Sequence, residues 1–263
     1  LKVLSHLLAA RFFGALGLAF IRYETQRELQ RDLWNSLREI KFFETLSFKY
    51  DVTPALQHLA NSKSQLRQDL FVVTALRGLR NGYFVEFGAT NGVLLSNTYL
   101  LETEYQWKGI LSEPALMWQS DLQLNRHCAI DFRCVWSASG EILEFNEAQI
   151  GELSTINRFS GNDRHAPSRE LGKKYPVDTV SLVDLLRQHE APRHIDYLSI
   201  DTEGSEFEIL RDFDFEEYSF GVITVEHNFG EQREKILSLL TRNGYVRVFE
   251  DLSLFDDWYL LNP

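Results

Sequence analysis

The chain has 263 residues, 44% of them apolar and 25% charged, enough to bury a full core in one α/β domain with additional N-terminal helices. With 27 basic against 38 acidic side chains the formal charge is -11, so no nucleic-acid partner is expected, because phosphate affinity rests on Lys and Arg. The two cysteines, Cys128 and Cys134, would lie roughly 20 Å apart on one extended segment, too far to bridge, and they make no zinc pattern. Unpaired thiols fit a reducing compartment, so a cytoplasmic protein, with or without membrane association, is expected.

Leu1 to Ile21 is mostly apolar but carries Lys2, His6 and Arg11, and its uninterrupted part, Phe12 to Ile21, is too short to span a bilayer. Three readings of it stay open: a packing or oligomerising helix, a helix lying on a membrane surface, and the remnant of a signal or anchor. Peripheral membrane contact and homo-oligomerisation are the corresponding partner expectations. From Tyr23 to Phe48 the spacing of Leu29, Leu33, Leu37 and Ile40 predicts a helix. Asp51-Val-Thr-Pro54 breaks it, and Pro54 suits the first turn of another short helix. A helix over Gln65 to Leu79 ends at the turn Arg80-Asn81-Gly82.

Strands and helices then alternate. The predicted strands are Tyr83–Phe87, Trp107–Leu111 and Ala129–Trp136, with helices over Val93–Glu104 and from Pro114 to Asn125 between them. Glu141–Phe145 is an extra strand. Asn146 to Pro176 has no clean period and reads as a long functional loop. A helix over Val180–His189, a strand over Ile195–Ile200 and a helix over Ser205–Arg211 come next, then a strand over Val222–Glu226 and a helix over Gln232–Thr241. Tyr245–Phe249 and Trp258–Leu261 are too close for a crossover helix and should pair antiparallel. The fold class is therefore α/β, a mostly parallel sheet with helices on both faces.

Ligands of such sheets bind beyond the carboxyl ends of the strands. The first and fourth parallel strands end in Glu86-Phe-Gly88-Ala89-Thr-Asn91-Gly92 and Asp201-Thr-Glu-Gly204. This is neither the dinucleotide fingerprint nor a P-loop, since the third glycine and the Gly-Lys-Ser/Thr are missing. Gly88 and Gly92 allow tight turns and close approach. Glu86 would repel a pyrophosphate but could take a cationic amino-acid end, and Glu113, ending the second strand, could take both hydroxyls of a ribose. Together they describe S-adenosylmethionine as cofactor and a methyltransferase.

The segments Ser64-Gln-Leu-Arg-Gln-Asp-Leu70, Val85–Gly92, Ser96-Asn-Thr-Tyr-Leu-Leu-Glu102, Trp107–Pro114, Ile195–Glu206 and Val225-Glu-His-Asn228 make the chain resemble the FkbM family of S-adenosylmethionine-dependent methyltransferases. The likeness runs from about Ser64 to Leu261, so 1–63 is read as an N-terminal helical extension and 64–263 as the methyltransferase domain. The resemblance implies a class I, Rossmann-like fold of seven strands and methyl transfer to a hydroxyl of a sugar, polysaccharide or polyketide. By it, Glu86, Gly88, Ala89, Asn91 and Gly92 form the methionine-side motif, Glu113 is the ribose carboxylate, and Val135 and Trp136 lie near adenine. Many relatives have Lys where this chain has Ser199, so no role of that lysine carries over.

Methyl transfer to an alcohol needs the hydroxyl proton removed or weakened. Asp201 and Glu203 end the fourth parallel strand, and Glu226, His227 and Asn228 end the fifth, its expected neighbour. Asp201, Glu226 and His227 are candidate ligands for Mg²⁺ or Mn²⁺, an arrangement similar to catechol-type O-methyltransferases. Without a metal, His227 is the candidate general base. Asp201 counts both among the catalytic groups and among those that contact the cofactor. Glu206 and Glu208 are read as first-turn acids on the solvent face. Gly151 to Tyr175, with Ser154, Asn157, Arg158 and His165, is the expected acceptor loop for a glycan or small molecule. An inactive methyltransferase-like binding module and an N-methyltransferase are the alternatives.

Overall fold

The computed structural model describes residues 26–262, apart from 28, 32, 162 and 163. The readings of Leu1 to Ile21 therefore lie outside the described residues. Two compact units are present, one up to Lys49 and the other from Tyr50 onward. In the first, helix α1 covers residues 26–47. Its predicted apolar row, Leu29, Leu33, Leu37 and Ile40, is exposed.

The second unit starts earlier than the expected boundary at Ser64. Helix α2 (Thr53–Leu56) belongs to it, because the Tyr105 hydroxyl donates to the Pro54 carbonyl and Ser62 donates to Asp69. Helix α3 (Gln68–Ala75), strand β1 (Tyr83–Phe87), α4 (Tyr99–Tyr105), β2 (Lys108–Ser112), α5 (Gln119–Asn125) and β3 (Ala129–Asp131) come after it. Next are β4 (Cys134–Trp136), β5 (Ile142–Glu147), β6 (Thr155–Ile156), α6 (Ala166–Arg169), β7 (Lys173–Ser181) and α7 (Leu182–Gln188). The chain closes with β8 (His194–Ile200), α8 (Glu206–Arg211), β9 (Ser219–Glu226), α9 (Arg233–Arg242), β10 (Tyr245–Val248), α10 (Glu250–Ser253) and β11 (Asp256–Leu261).

The expected α/β fold is found. Seven strands run in the order β10-β11-β9-β8-β1-β2-β3, all parallel except β11, which pairs antiparallel with both β10 and β9. The order reverses at β1, with β2 on one side and β8 on the other, so the chemistry-bearing ends of β1, β2, β8 and β9 are adjacent. Val85, Phe87, Leu198, Ile200, Ile223 and Val225 bury one face under α7, α8 and α9. Alternate residues point the other way, where Phe71 of α3 stacks on Trp258 of β11 at 4.6 Å.

Three elements differ from the sequence reading. The predicted strand Ala129–Trp136 is two strands in two sheets, because Arg133 folds back to give Asp131 its backbone N–H and its guanidinium. The expected helix from Val93 cannot start there: Leu95 has φ +56°, and Asn91 takes the N–H groups of Val93 and Leu94 in a local turn. The irregular region contains β6 and β7, which with β4 and β5 form a second sheet in the order β4-β7-β5-β6. Strand β7 carries Lys173, Lys174 and Pro176 on its outer positions, which hides its period of two. Cys128 and Cys134 are free. Among the described residues, no helix is long and apolar enough to cross a membrane.

Candidate active site

The ends of β1, β2 and β8 border a crevice. Its wall carries four carboxylates, Glu86, Glu113, Glu152 and Asp201, and no Lys, Arg or His among the described lining residues. Leu95, Val135, Phe145 and Ile156 supply an apolar side. Gly88 sets the geometry. It has φ +75°, its N–H donates to the Ser112 carbonyl, and a Cβ there would lie 1.9 Å from the Asp201 carbonyl oxygen. Only glycine lets β1 and β8 end this close together.

Glu113 is buried, accepting one backbone N–H from Thr90 at 2.9 Å and one from Ala115 at 2.8 Å. Burial nevertheless pushes its carboxyl up to about 7, helped by the charge of Glu147. A carboxylate has about four acceptor sites, so two remain for a ligand.

Glu86 lines the crevice, but its oxygens are already engaged. They accept from the Asn97 N–H at 2.6 Å, the Thr98 hydroxyl at 2.5 Å and the Ser96 hydroxyl at 3.0 Å. Arg126, fully buried, stands 3.7 Å from Glu86 and donates to Glu102, Ser96, Thr98 and the Gly92 carbonyl. Glu86 and Arg126 thus brace the loop 92–98 beneath the crevice. Ala89, Asn91 and Gly92 do not line the crevice: Ala89 is buried, Asn91 closes its own turn, and Gly92 packs on Leu122 and Arg126. Trp136 also stands off it, under the Arg158 guanidinium at 4.3 Å.

Beside the crevice lies a wider groove, about 690 Å³, lined by Phe159, Glu203, Glu226, His227, Asn228, Phe229 and Gln232 among others. Asp201 lines the crevice and Glu226 the groove, and oxygens of the two carboxyls lie within 4.8 Å of each other. Burial pushes Asp201 up to about 7. Burial, then the charges of Asp201 and Glu203, pushes Glu226 up as well. Oxygens of Asp201, Glu203 and Glu226 lie within 4.8 Å of one another, close enough to share a hard cation.

His227 is not in that group. Its Nδ1 accepts the Phe229 N–H at 2.9 Å, which puts the proton of the neutral ring on Nε2, 3.7 Å from Asp257. Burial also holds the imidazole below its ordinary range, against the pull of Asp257. Neither nitrogen offers a free lone pair, so His227 is placed as neither metal ligand nor general base.

The region expected to be an acceptor loop borders both spaces: Gly151, Glu152, Ser154 and Ile156 line the crevice, and Phe159 lines the groove. Arg169, buried, donates to Glu203 at 2.7 Å and to the Leu153 carbonyl at 2.6 Å, while Thr155 donates to the Glu203 carbonyl at 2.9 Å. Arg158 is committed to Trp136, Phe159 and Glu208, and Asn157 to Glu144. Glu206 is buried rather than on the solvent face, and its carboxylate accepts from the Thr202 and Gly204 N–H groups that turn the chain after β8.

The profile described as "Methyltransferase FkbM domain" matches residues 86–247, more than half of the chain and all of the strand ends that form the crevice. This chain belongs to the FkbM methyltransferase family. Among solved structures, it is similar to an FkbM methyltransferase from Methylobacillus flagellatus, at 13% identity and TM-score 0.43, over 86% of this chain and 60% of that one. It is also similar to precorrin-6y C5,15-methyltransferase from Geobacter metallireducens, at 10% identity and TM-score 0.42, over 74% and 87% of the two chains. Comparison with curated proteins gave no significant match. In this FkbM methyltransferase, Arg126 and Arg169 build the site from outside the motifs that carry the resemblance, while Asn97 and Glu206 lie inside those motifs and only the fold shows what they bond to.

Replacing Arg126 by Met should destabilise this FkbM methyltransferase by about 3–5 kcal/mol, since Glu86 and Glu102 would lose their buried counter-charge. Urea unfolding measures it, and a loss below about 1 kcal/mol would contradict the bracing role.

Proposed function

We propose that the protein transfers a methyl group from S-adenosylmethionine to a hydroxyl of a sugar or glycan. The observation that carries this is the crevice's charge: carboxylates and hydroxyls with no basic group among the described lining residues, against an apolar wall. That suits a ligand with ribose hydroxyls, an ammonium and a sulfonium, and no phosphate. Glu113 would accept the ribose hydroxyls, and Val135, Phe145 and Ile156 would pack on adenine. Bound there, S-adenosylmethionine supplies an electrophilic methyl that needs only an aligned nucleophile.

The acceptor would lie in the groove beyond β9. Polar Asn228 and Gln232 and aromatic Phe159 and Phe229 suit a hydroxylated ring, and Glu226 reaches it. The Asp201–Glu226 pair spans the two spaces, and once ionised it can take the hydroxyl proton as the oxygen attacks. A second reading is favoured by the close approach of Asp201, Glu203 and Glu226. These residues would hold Mg²⁺ or Mn²⁺, which would lower the hydroxyl's pKa.

Three outcomes test this. Given labelled cofactor and a panel of glycans, nucleotide sugars, catechols and peptides, the label should appear on a carbohydrate oxygen; transfer only to a peptide nitrogen would refute the acceptor. Asp201→Asn should lower the rate on the order of 10²–10⁴. Exhaustive chelation should leave activity if the pair acts alone, whereas loss restored by Mg²⁺ establishes the metal reading. Glu113 must be ionised to accept two hydroxyls, and its carboxyl lies at about 7. Cofactor affinity should therefore fall by up to about tenfold per pH unit below 7, and Glu113→Gln should flatten that dependence. A wild-type affinity constant from pH 5 to 8 would show the ribose is held elsewhere.

A further inference from the structure

Asn97 lies on the braced loop, 7% exposed, and lines the crevice. Its backbone N–H is given to Glu86, and its Nδ2 donates to Ser199 Oγ on β8 at 2.9 Å. Its Oδ1 is buried with no hydrogen-bond partner. Asn97 therefore meets β8 through its amide nitrogen. With the amide nitrogen turned to Ser199, Oδ1 is left unpaired on a residue of the crevice wall.

A buried carbonyl oxygen without a donor is rare and costly, and it asks for an N–H. No Lys, Arg or His among the described lining residues provides one. Glu86 beside it already accepts from Ser96, Asn97 and Thr98. We infer that Asn97 Oδ1, held in place by Ser199, receives the ammonium of the amino-acid end of an S-adenosyl ligand, a role that the position of Glu86 in the motif would otherwise claim. The inference rests on the crevice being the cofactor site. An ammonium brings three donors and a charge, and the surrounding carboxylates favour that charge without having to touch it.

Calorimetry of the whole chain with three probes separates the two claims: S-adenosylhomocysteine, its analogue with the ammonium replaced by hydrogen, and methylthioadenosine, which lacks the amino-acid end. The wild type should bind S-adenosylhomocysteine about 10- to 100-fold more tightly than the desamino analogue. Asn97→Leu should erase that difference while changing the other two affinities less than about twofold, which also shows the variant is folded. Ser199→Ala, which frees the amide to rotate, should weaken S-adenosylhomocysteine selectively but by less. Should Asn97→Leu fail to fold, a Ser199→Ala effect equal for all three probes overturns the inference. So does an Asn97→Leu variant that weakens all three alike or none. If the wild type binds none of the probes, the cofactor reading of the crevice fails first and the inference falls with it.

Discussion

Everything at this site hangs on the contact between the end of β1 and the end of β8. The Gly88 backbone is pinned to β2 by its hydrogen bond to Ser112 and lies against the Asp201 carbonyl, with no room for a Cβ between them. The chain enters that turn at φ +75° and leaves it through Asn91, Gly92 and Leu95, which keeps helix α4 from starting until Tyr99. One backbone approach therefore sets where Glu86 and Asp201 end and gives Asn97 its place beneath the crevice. A side chain at position 88 would part the two strands and open the crevice floor.

Some of the buried carboxylates are neutralised by an arginine and others are not. Glu86 and Glu102 share Arg126, Glu203 has Arg169, and Asp257 has Arg233. These acids are neutralised internally and hold loops. Glu113 is met only by backbone N–H groups, and Asp201 and Glu226 mainly by each other. Burial without a counter-charge raises all three, as it raises Asp69 and Asp256, which line neither space; what sets Glu113, Asp201 and Glu226 apart is that they also border the crevice or the groove.

Much of the fold was legible in the sequence because each parallel strand is a short apolar run that stops at an acid or glycine. The neighbouring positions of β8 and β9, the antiparallel final pair and the placement of Glu113 and Asp201 at strand ends are all consequences of that pattern. The second sheet was not legible. Strand β7 is half solvent-facing, with lysines and a proline, and its partners are distant in sequence, so no local period marks it. The bend at Arg133 rests on one side chain returning to Asp131, which a strand pattern cannot show. Glu86 sits as the motif implies, yet its hydrogen bonds come from residues 96–98, and only the folded loop reveals them. His227 likewise stands where expected, but the Phe229 N–H, arising from a turn with φ +43° at Asn228 and +58° at Phe229, takes its free nitrogen.

The crevice lining, rich in carboxylates and with no basic group among the described lining residues, fits the proposed phosphate-free nucleoside bearing an ammonium, and on this the proposed chemistry depends. Titration calorimetry with S-adenosylhomocysteine and, separately, ADP tests it most directly, because both offer adenosine and differ in the group carried at the ribose 5′ carbon. The expected dissociation constant for S-adenosylhomocysteine is about 1–50 µM, roughly 6–8 kcal/mol, with no heat from ADP at millimolar concentration. Binding of ADP as tight as that of S-adenosylhomocysteine, or no binding of S-adenosylhomocysteine at all, would contradict it.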